Sequence, residues 1–388
     1  LSSRAAVEKE IPGKVNSFYT LYLLSVCGHL GMVITGDAFN LYVLLEISAL
    51  SGYALLGMGS KRAPLSTLTY LFLGTIGASL YLLGVGYLYI ETGSLNMIDI
   101  SRIIAEQGLS PVTTTAFCLI MAGIMVKMAF FPLHAWLPNA YTHGPSATSG
   151  LIAPMTTKVM VYVMLRMLLT VFTPALAYTA LPGITDILVW MAVAAIVAGG
   201  IMALSSRNLK HMLTFIIVSE VGYMVGGAWL GNQNGLTGSI LHIANDAVMT
   251  LLVFMVAAAI YFRTESLEFP NLQGLFKKMP FTMGAFVIGA AAMIGVPPTC
   301  GFFSKWYLLL GGFEAAQAGM AGGWAFMAAL LASSLINVVL FFRIFEICYF
   351  EPFAEHGHGS HGHGAGHGGE AVKWAESPLP MVVGLLVT

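Results

Sequence analysis

Long apolar segments, each bounded by a short polar stretch, fill almost the whole chain. A membrane-spanning helix needs about 20 consecutive apolar residues, and eleven segments approach or exceed this length. We predict spans at 16–35, 38–59, 65–91, 114–141, 145–170, 183–205, 209–231, 236–262, 281–312, 323–349 and 379–388. The pattern predicts an all-α polytopic membrane protein.

Two of these spans are too long for one straight helix and contain helix-breaking residues. The fourth carries Pro132 and Pro138 within FFPLHAWLP, and the ninth carries Pro297 and Pro298 within GVPPTCGFF. Because proline removes a backbone donor and clashes with the preceding turn, both spans should be interrupted. Interrupted helices line the midplane ion sites of many transporters.

The interrupted spans lie five spans apart, which is an odd number. A five-span unit that follows another must cross the membrane in the opposite direction, so we predict two inverted five-helix repeats, each with a broken helix. We assign 16–170 to the first repeat and 171–350 to the second. The remainder divides into a cytoplasmic loop at 1–15, a His/Gly-rich cytoplasmic loop at 351–378 and the start of a truncated span at 379–388.

Composition and charge agree with this topology. Hydrophobic residues make up 57% of the chain and charged residues 9%, too few charges for the surface of a water-soluble domain. Threading the chain across a membrane puts only Arg102 on the far side and eleven basic residues on the side of the N-terminus: Arg4, Lys9, Lys14, Lys61, Arg62, Arg207, Lys210, Arg263, Lys277, Lys278 and Lys373. Cytoplasmic loops carry such an excess, so we expect a multi-pass protein of a prokaryotic plasma membrane with its N-terminal side in the cytoplasm.

Composition also argues against several partners. The net charge is −1 and the basic residues form no block, so no nucleic-acid partner is indicated. The four cysteines lie singly in apolar stretches, without metal or disulfide spacing. We expect no cofactor, because neither a nucleotide loop nor a haem motif occurs, and any redox chemistry would belong to a partner.

Ionisable residues inside the apolar runs are the strongest functional signal. A charge at the bilayer centre costs roughly 2.5 to 3.5 kcal/mol on insertion scales, so its presence points to function. A lysine carries protons only if desolvation and a switching neighbour, such as a carboxylate, control its charge. We predict a proton relay that is formed by Glu46, Lys127, Lys158, His242, Asp246 and Lys305.

The order of the relay follows the spans. Glu46 and Lys127 form the first unit, and His242 and Asp246 lie one turn apart on one helix face, where they make a titratable pair. Lys127 and Lys305 flank the two helix breaks and are candidates for equivalent positions in the two repeats.

Plainer interpretations stay open for these residues. Lys127 is also explained as a structural cation at a helix end, Lys158 as a snorkelling residue and His242 as a hydrogen-bonded core histidine. Asp37 either caps a helix or marks an ion access route. Glu220 is more simply structural.

The segment EHGHGSHGHGAGHGGE, residues 355–370, holds five of the ten histidines. Such a tract binds zinc, nickel or copper loosely, and its candidate ligands are His356, His358, His361, His363 and His367. The tract has no cysteine framework and is rich in glycine, so we interpret it as a linker and predict no metal site.

Four stretches resemble one known family. GDAFNLYVLLEISALSGYALL, KMAFFPLHAWLPNAYTHGPSATSGLI, SSRNLKHMLTFIIVSEVGYMVGG and GVPPTCGFFSKWYLL together are similar to the proton-translocating antiporter family, and the FPLHAWLPxAYxxxPS block is the most specific. That family comprises the D and A subunits of Mrp-type sodium/proton antiporters and the antiporter-like subunits of respiratory complex I and membrane-bound hydrogenases. The GDxFNLYVxLE and SLNMIDI stretches favour the Mrp D branch.

The resemblance implies fourteen core spans in which the fourth to eighth and the ninth to thirteenth form inverted repeats. The eleven predicted spans fit if three precede Leu1. Glu46 then matches the family's fifth-span glutamate, Lys127 the seventh-span lysine, Lys158 the eighth-span lysine and Lys305 the twelfth-span lysine.

One stretch departs from the family pattern. HxxxHAxxK in the eleventh span reads HIANDAVMT here, so His242 matches, whereas Asp246 and Thr250 replace a histidine and a lysine. Either Asp246 carries the proton, or water bridges the gap, or transport through this chain is impaired.

Three functions fit these features of the sequence. The favoured one is the proton- and cation-translocating subunit of a multisubunit Na⁺/H⁺ antiporter, whose partners are other membrane subunits, protons, sodium ions and the lipid bilayer. The alternative is a proton-pumping subunit of NADH:quinone oxidoreductase (complex I) or of a membrane-bound hydrogenase. The third is a membrane scaffold with a disabled path.

Overall fold

The computed structural model describes residues 3–59, 62–179, 183–350 and 376–388, and most of them are helical. The helices of the first half are α1 (Arg4–Glu10), α2 (Val15–Ile34), α3 (Ala38–Gly57), α4 (Ala63–Thr92), α5 (Met97–Gln107), α6 (Pro111–Lys127), α7 (Trp136–His143) and α8 (Ser146–Arg166). Those that follow are α9 (Thr173–Thr179), α10 (Ile184–Ser205), α11 (Leu209–Trp229), α12 (Gln233–Thr264), α13 (Leu275–Lys278), α14 (Pro280–Ile294), α15 (Cys300–Gln317), α16 (Ala321–Tyr349) and α17 (Leu379–Val387).

Eight helices in the described ranges are long and apolar enough to cross a membrane. Two shorter apolar helices, α6 and α14, begin the fourth and ninth predicted spans. These ten crossings match the first ten predicted spans, and α17 lies in the eleventh. The prediction of an all-α polytopic membrane protein is confirmed.

Both predicted helix breaks are present. α6 ends at Lys127 and α7 begins at Trp136, with Pro132 in the irregular stretch between them. α14 ends at Ile294, and α15 begins at Cys300 after a stretch that contains the second proline pair. At the end of α6, the carbonyl oxygens of Ile124, Met125 and Val126 accept from the backbone nitrogens of residues 128–130. At the end of α14, those of Met293 and Ile294 accept from Lys305 instead of from a following helical turn.

The two halves of the chain share one connection. Residues 36–38, at the start of α3, pair with residues 95–97 after α4 through two backbone hydrogen bonds of 2.9 Å. Residues 207–209, at the start of α11, pair with residues 267–269 after α12 through bonds of 2.8 and 3.1 Å. The second and third crossings of each half are thus joined alike, as expected for two repeats with five crossings each. The boundaries at residues 170 and 350 stay predictions.

Within the described ranges, four short α-helices lie outside the predicted spans: α1, α5, α9 and α13. Residues 1–15, interpreted as a loop, contain α1, which buries Ala6 and Val7 and packs against α2, α8 and α12. α5 follows α4 and buries Ile100 and Ile104. None of the four reaches the length of a membrane span, so a search for long apolar runs could not find them.

α4 and α6 cross closely over a glycine. A Cβ atom on Gly123 would lie 2.5 Å from the carbonyl oxygen of Gly77 and 2.8 Å from the backbone nitrogen of Tyr81. Helices in membranes approach one another through such small residues. This crossing fixes α6, which carries Lys127 at its end.

We predict that Gly123→Ala lowers the free energy of unfolding by about 1 to 3 kcal/mol, because the obstructing atoms are backbone and the helices must move apart. Thermal unfolding of the detergent-purified protein measures the change. Gly86→Ala, on the exposed side of α4 with nothing within 4 Å of its added Cβ, is the matched control and should leave the melting temperature unchanged. Equal melting temperatures for the two variants would contradict the close crossing.

Candidate functional site

Polar side chains are buried among the helices between the two breaks. Five of the six predicted relay residues are at most 5% exposed: Lys127, Lys158, His242, Asp246 and Lys305. The side chain of Glu46 is 25% exposed. Because a buried charge without a partner is costly, the contacts of each group decide what the site can do.

The first unit lies at the end of α6. The Nζ atom of Lys127 is 3.7 Å from Oε1 of Glu46 on α3 and 3.4 Å from the hydroxyl of Tyr53. The Tyr53 ring packs edge-on against Tyr70, which stacks on Trp136 with ring centroids 3.9 Å apart. The aromatic stack holds the tyrosine in place, and the ion pair of Lys127 with Glu46 is at the long end of the range for such contacts.

A small cavity of about 20 Å³ adjoins Lys127. Its lining includes His29 on α2 and Thr156 on α8, whose Oγ1 lies 3.2 Å from Nε2 of the histidine. His29 donates from Nδ1 to the carbonyl oxygen of Ser25 at 2.7 Å. The cavity has room for one water, its walls are mixed and more apolar than polar, and it extends from the first lysine to the helix that carries Lys158. Sequence patterns did not point to His29, because a lone histidine in an apolar helix has no distinguishing pattern.

The second unit joins α8 to α12. Nζ of Lys158 lies 2.9 Å from Oδ2 of Asp246 and donates to Oγ1 of Thr250 at 3.3 Å. Thr250 in turn donates to Oδ1 of Asp246 at 2.7 Å. The two residues that depart from the family pattern therefore both contact Lys158.

The third unit lies between α11, α12 and α15. Nε2 of His242 is 2.5 Å from Oε2 of Glu220, and Nδ1 is 2.8 Å from Oγ of Ser304. The partners of His242 are thus Glu220 and Ser304. The predicted pair of His242 and Asp246 does not form, because Asp246 pairs with Lys158. Glu220, interpreted as structural, is fully buried within the site. An acid in an apolar span was visible in the sequence, but its partner was not.

Lys305 lies at the second break. Its ammonium group donates to the carbonyl oxygens of Met293 at 2.7 Å and Ile294 at 3.4 Å, at the end of α14, and lies 3.4 Å from Oγ of Ser334. Lys127 lies in α6, before the first break, whereas Lys305 lies in α15, after the second break. The prediction that the two lysines occupy equivalent positions is therefore wrong. The ammonium group of Lys305 lies next to the negative end of the α14 dipole, whereas that of Lys127 contacts Glu46 and Tyr53.

Two further expectations concern residues outside this site. Asp37 caps α3, because its Oδ1 accepts from the backbone nitrogen of Asn40 at 2.7 Å. The candidate metal ligands lie outside the described residues: His356, His358, His361, His363 and His367.

A wide polar cavity of about 630 Å³ opens on the side of the N-terminus. Glu10 and the buried Lys210 line it, and Nζ of Lys210 donates to the carbonyl oxygen of Gly144 at 2.7 Å. At its rim, Lys9 pairs with Glu265 at 2.7 Å, and this hydrogen bond lowers the pKa of the Glu265 carboxyl. Water can therefore reach the start of α8 from this side.

Known sequences resemble most of the chain. The sequence model of the family described as NADH:quinone oxidoreductase/Mrp antiporter, TM, matches residues 35–348. NADH-quinone oxidoreductase subunit N of Desulforudis audaxviator (strain MP104C) is 45% identical over 346 residues, which are 89% of this chain and 67% of that protein. The D subunit of the Na(+)/H(+) antiporter of Alkalihalophilus pseudofirmus (strain ATCC BAA-2126 / JCM 17055 / OF4) is 30% identical over 335 residues, 86% of this chain and 66% of that protein. The chain spans about two thirds of the length of these relatives.

A solved structure has the same fold. A chain of the membrane-bound sulfane sulfur reductase, an archaeal respiratory membrane complex, superposes with a TM-score of 0.79 at 29% identity. The match covers 88% of this chain and 69% of that one. The similar chain is therefore a component of a larger membrane complex.

The pair of Lys158 and Asp246 gives a prediction about stability. Asp246→Ala should lower the free energy of unfolding by about 3 to 5 kcal/mol, because it leaves a buried ammonium group without a counter-charge. Lys158→Met combined with Asp246→Ala should recover most of this loss, since no buried charge then remains at the pair. Thermal unfolding of the single and double variants forms a double-mutant cycle, and additive effects would mean that the pair is not coupled.

Proposed function

Because the chain belongs to the NADH:quinone oxidoreductase/Mrp antiporter family, we propose that it is a proton-translocating membrane subunit of a multisubunit complex. The observation that carries the proposal is the series of buried acid–base contacts from Glu46 and Lys127 through Lys158 and Asp246. His242 and Glu220 continue this series toward the second break. Intramembrane ionisable residues that pair with one another are typical of proton relays.

The proposed mechanism rests on ion pairs that open and close. At an effective dielectric constant of about 20, unit charges 4 Å apart attract by about 4 kcal/mol. Glu46 therefore stabilises the ammonium form of Lys127 at 3.7 Å, and separation of the two side chains removes that stabilisation. The lysine then releases its proton toward the water-sized cavity beside it.

The following steps use the neighbouring pairs. A proton that passes from the Lys158 ammonium to the Asp246 carboxylate over 2.9 Å converts an ion pair into two neutral groups. The pair has no net charge before or after the transfer. The step therefore does not require the free energy of burying an unpaired charge. Thr250 bonds to both members and holds their geometry throughout.

We place proton access from the cytoplasm at the polar cavity of about 630 Å³. It lies on the side that carries the excess of basic residues, which indicates the cytoplasm. The cavity reaches Ser146 at the start of α8, and the same helix carries Lys158 twelve residues later, about 18 Å along its axis.

Two kinds of complex fit this mechanism. The 30% identity with the D subunit of a Na(+)/H(+) antiporter supports exchange of protons for sodium ions, driven by an ion gradient. The 45% identity with an NADH-quinone oxidoreductase subunit N supports proton pumping driven by a redox partner. In either case we expect other membrane subunits as partners and no redox centre in this chain.

Reconstituted vesicles distinguish the two. The intact complex is inserted into vesicles that contain a pH-sensitive dye, and proton movement is followed after a sodium pulse or after addition of a reducing substrate. Sodium-dependent movement without reductant identifies an antiporter, and movement that requires reductant identifies a redox pump. A complex that moves protons under neither condition contradicts the proposed function.

Variants of Lys127 test whether this residue carries protons. We expect Lys127→Ala to lower proton transport by about 100-fold or more, the size of a typical acid–base contribution. Lys127→Arg should have the same effect, because guanidinium keeps its proton while still pairing with Glu46. The measurement is the initial rate of proton movement in vesicles that contain equal amounts of complex.

The control is Arg102→Ala, which removes an exposed charge that pairs only loosely with Asp99 at 3.6 Å and should leave the rate unchanged. Glu46→Gln should weaken transport without abolishing it, because it removes the switch and leaves the carrier. Wild-type rates in Lys127→Arg vesicles would show that Lys127 is a structural cation.

A further inference from the structure

Each half of the protein places a lysine against a tyrosine from its second crossing. In the first half, Nζ of Lys127 lies 3.4 Å from the hydroxyl of Tyr53 and 5.9 Å from the centre of its ring. In the second half, Nζ of Lys305 lies 5.1 Å from the ring centre of Tyr223. The lysines come from different half-helices, yet each meets the corresponding tyrosine beside its helix break.

The tyrosines lie at nearly the same depth along their helices. Tyr53 follows the cap of α3, Asp37, by sixteen residues, and Tyr223 follows the cap of α11, Asn208, by fifteen residues. These counts are the differences between the residue numbers, 53 less 37 and 223 less 208. One residue is about 1.5 Å along a helix, so the depths match closely, and in each helix the tyrosine marks the face that meets the lysine.

A glutamate shares that face in both helices. Glu46 precedes Tyr53 by seven residues, and Glu220 precedes Tyr223 by three residues. Residues three or seven apart lie on one side of a helix. Glu220 is therefore the acid of the second half that corresponds to Glu46, displaced by one turn along the helix axis.

The two acids differ in the partner that they contact. Glu46 faces its lysine at 3.7 Å, whereas Glu220 is bonded through Oε2 to His242. Within the described residues, Oε1 of Glu220 is buried and has no hydrogen-bond partner. Lys305 is held by neutral oxygen atoms of α14 and α16. The second half thus contains a buried carboxyl oxygen without a partner and a lysine that is held by neutral oxygen atoms.

We propose that Glu220 is the exchangeable carboxylate of the second half and carries protons between Lys305 and His242. This inference rests on the proposed function and assigns a further catalytic residue to it. When Lys305 reaches Oε1 of Glu220, an N–H bond of its ammonium group breaks and an O–H bond forms at Oε1. The proton that already lies between Oε2 of Glu220 and Nε2 of His242 moves onto the histidine. A neutral amine, a neutral acid that is protonated at Oε1 and an imidazolium remain.

Tyr223 lies near both ends of this transfer. Its hydroxyl lies 2.5 Å from Oγ of Ser333, its ring centre lies 5.1 Å from Nζ of Lys305, and the tyrosine and histidine ring centroids are 5.5 Å apart. Glu220, three residues earlier on the same helix, bonds to His242 through Oε2 and keeps a second buried oxygen for the lysine. A purely structural partner for His242 would not need a charge, because a glutamine oxygen accepts the same hydrogen bond.

Infrared difference spectroscopy tests the inference without requiring transport. Reconstituted protein is titrated, and the carbonyl stretch of protonated carboxyl groups is recorded for wild type, Glu220→Gln and the exposed control Glu106→Gln. We expect a band that is absent only in Glu220→Gln and that shifts in Lys305→Met, because Glu220 bonds to His242 and its charge interacts with that of Lys305. A spectrum that is unchanged in Glu220→Gln overturns the inference.

Transport supplies the second measurement. Glu220→Gln should lower the rate of proton movement by about 10-fold or more, while Glu220→Asp, which keeps the carboxylate, should retain part of the rate and the infrared band. If Lys127→Ala abolishes transport and Glu220→Gln vesicles run at the wild-type rate, the role of Glu220 is refuted and the proposed function stands. If wild-type vesicles move no protons, the proposed function fails, and the infrared band still decides whether Glu220 exchanges a proton.

Discussion

The pairing of charge inside an apolar medium governs the arrangement of this protein. Transfer of an unpaired ammonium or carboxylate group out of water costs several kcal/mol even after relaxation, so every buried ion needs an opposite charge or aligned dipoles. Lys158 and Asp246 meet this need with each other at 2.9 Å. Lys305 meets it with the carbonyl oxygens at the end of α14. The positions of the helices around these groups follow from the contacts that the charges require.

The helix breaks supply what a continuous helix cannot. A regular helix consumes its own carbonyl groups, whereas the end of a half-helix leaves several of them free and concentrates partial negative charge. The end of α14 holds Lys305 in this way, whereas Lys127, at the end of α6, is held by Glu46 and Tyr53. The second break therefore provides a cation site built from neutral oxygen atoms.

Sequence patterns predicted the features that depend on one helix alone. The lengths of the apolar runs predicted the ten crossings, and the prolines within the fourth and ninth runs, among them Pro132 and Pro297, predicted both breaks. Contacts between helices were not accessible in this way, because spacing along one helix says nothing about the neighbour that a side chain meets. The pairing of Asp246 with Lys158, rather than with His242 on its own helix, is such a case. The same limit hid His29 and left Glu220 without a role.

The departure at HIANDAVMT is better explained as an exchange of charges than as a loss of the path. A lysine at position 250 would add a second ammonium group near Lys158, since Oγ1 of Thr250 lies only 3.3 Å from Nζ of that lysine. Asp246 instead supplies a negative charge, and Thr250 joins the two as both acceptor and donor. Like charges at this separation repel by about as much as opposite charges attract, roughly 4 kcal/mol at an effective dielectric constant of about 20. Threonine and aspartate thus keep the acid–base contact through which we propose that the proton passes, and they reduce the positive charge that the membrane must hold.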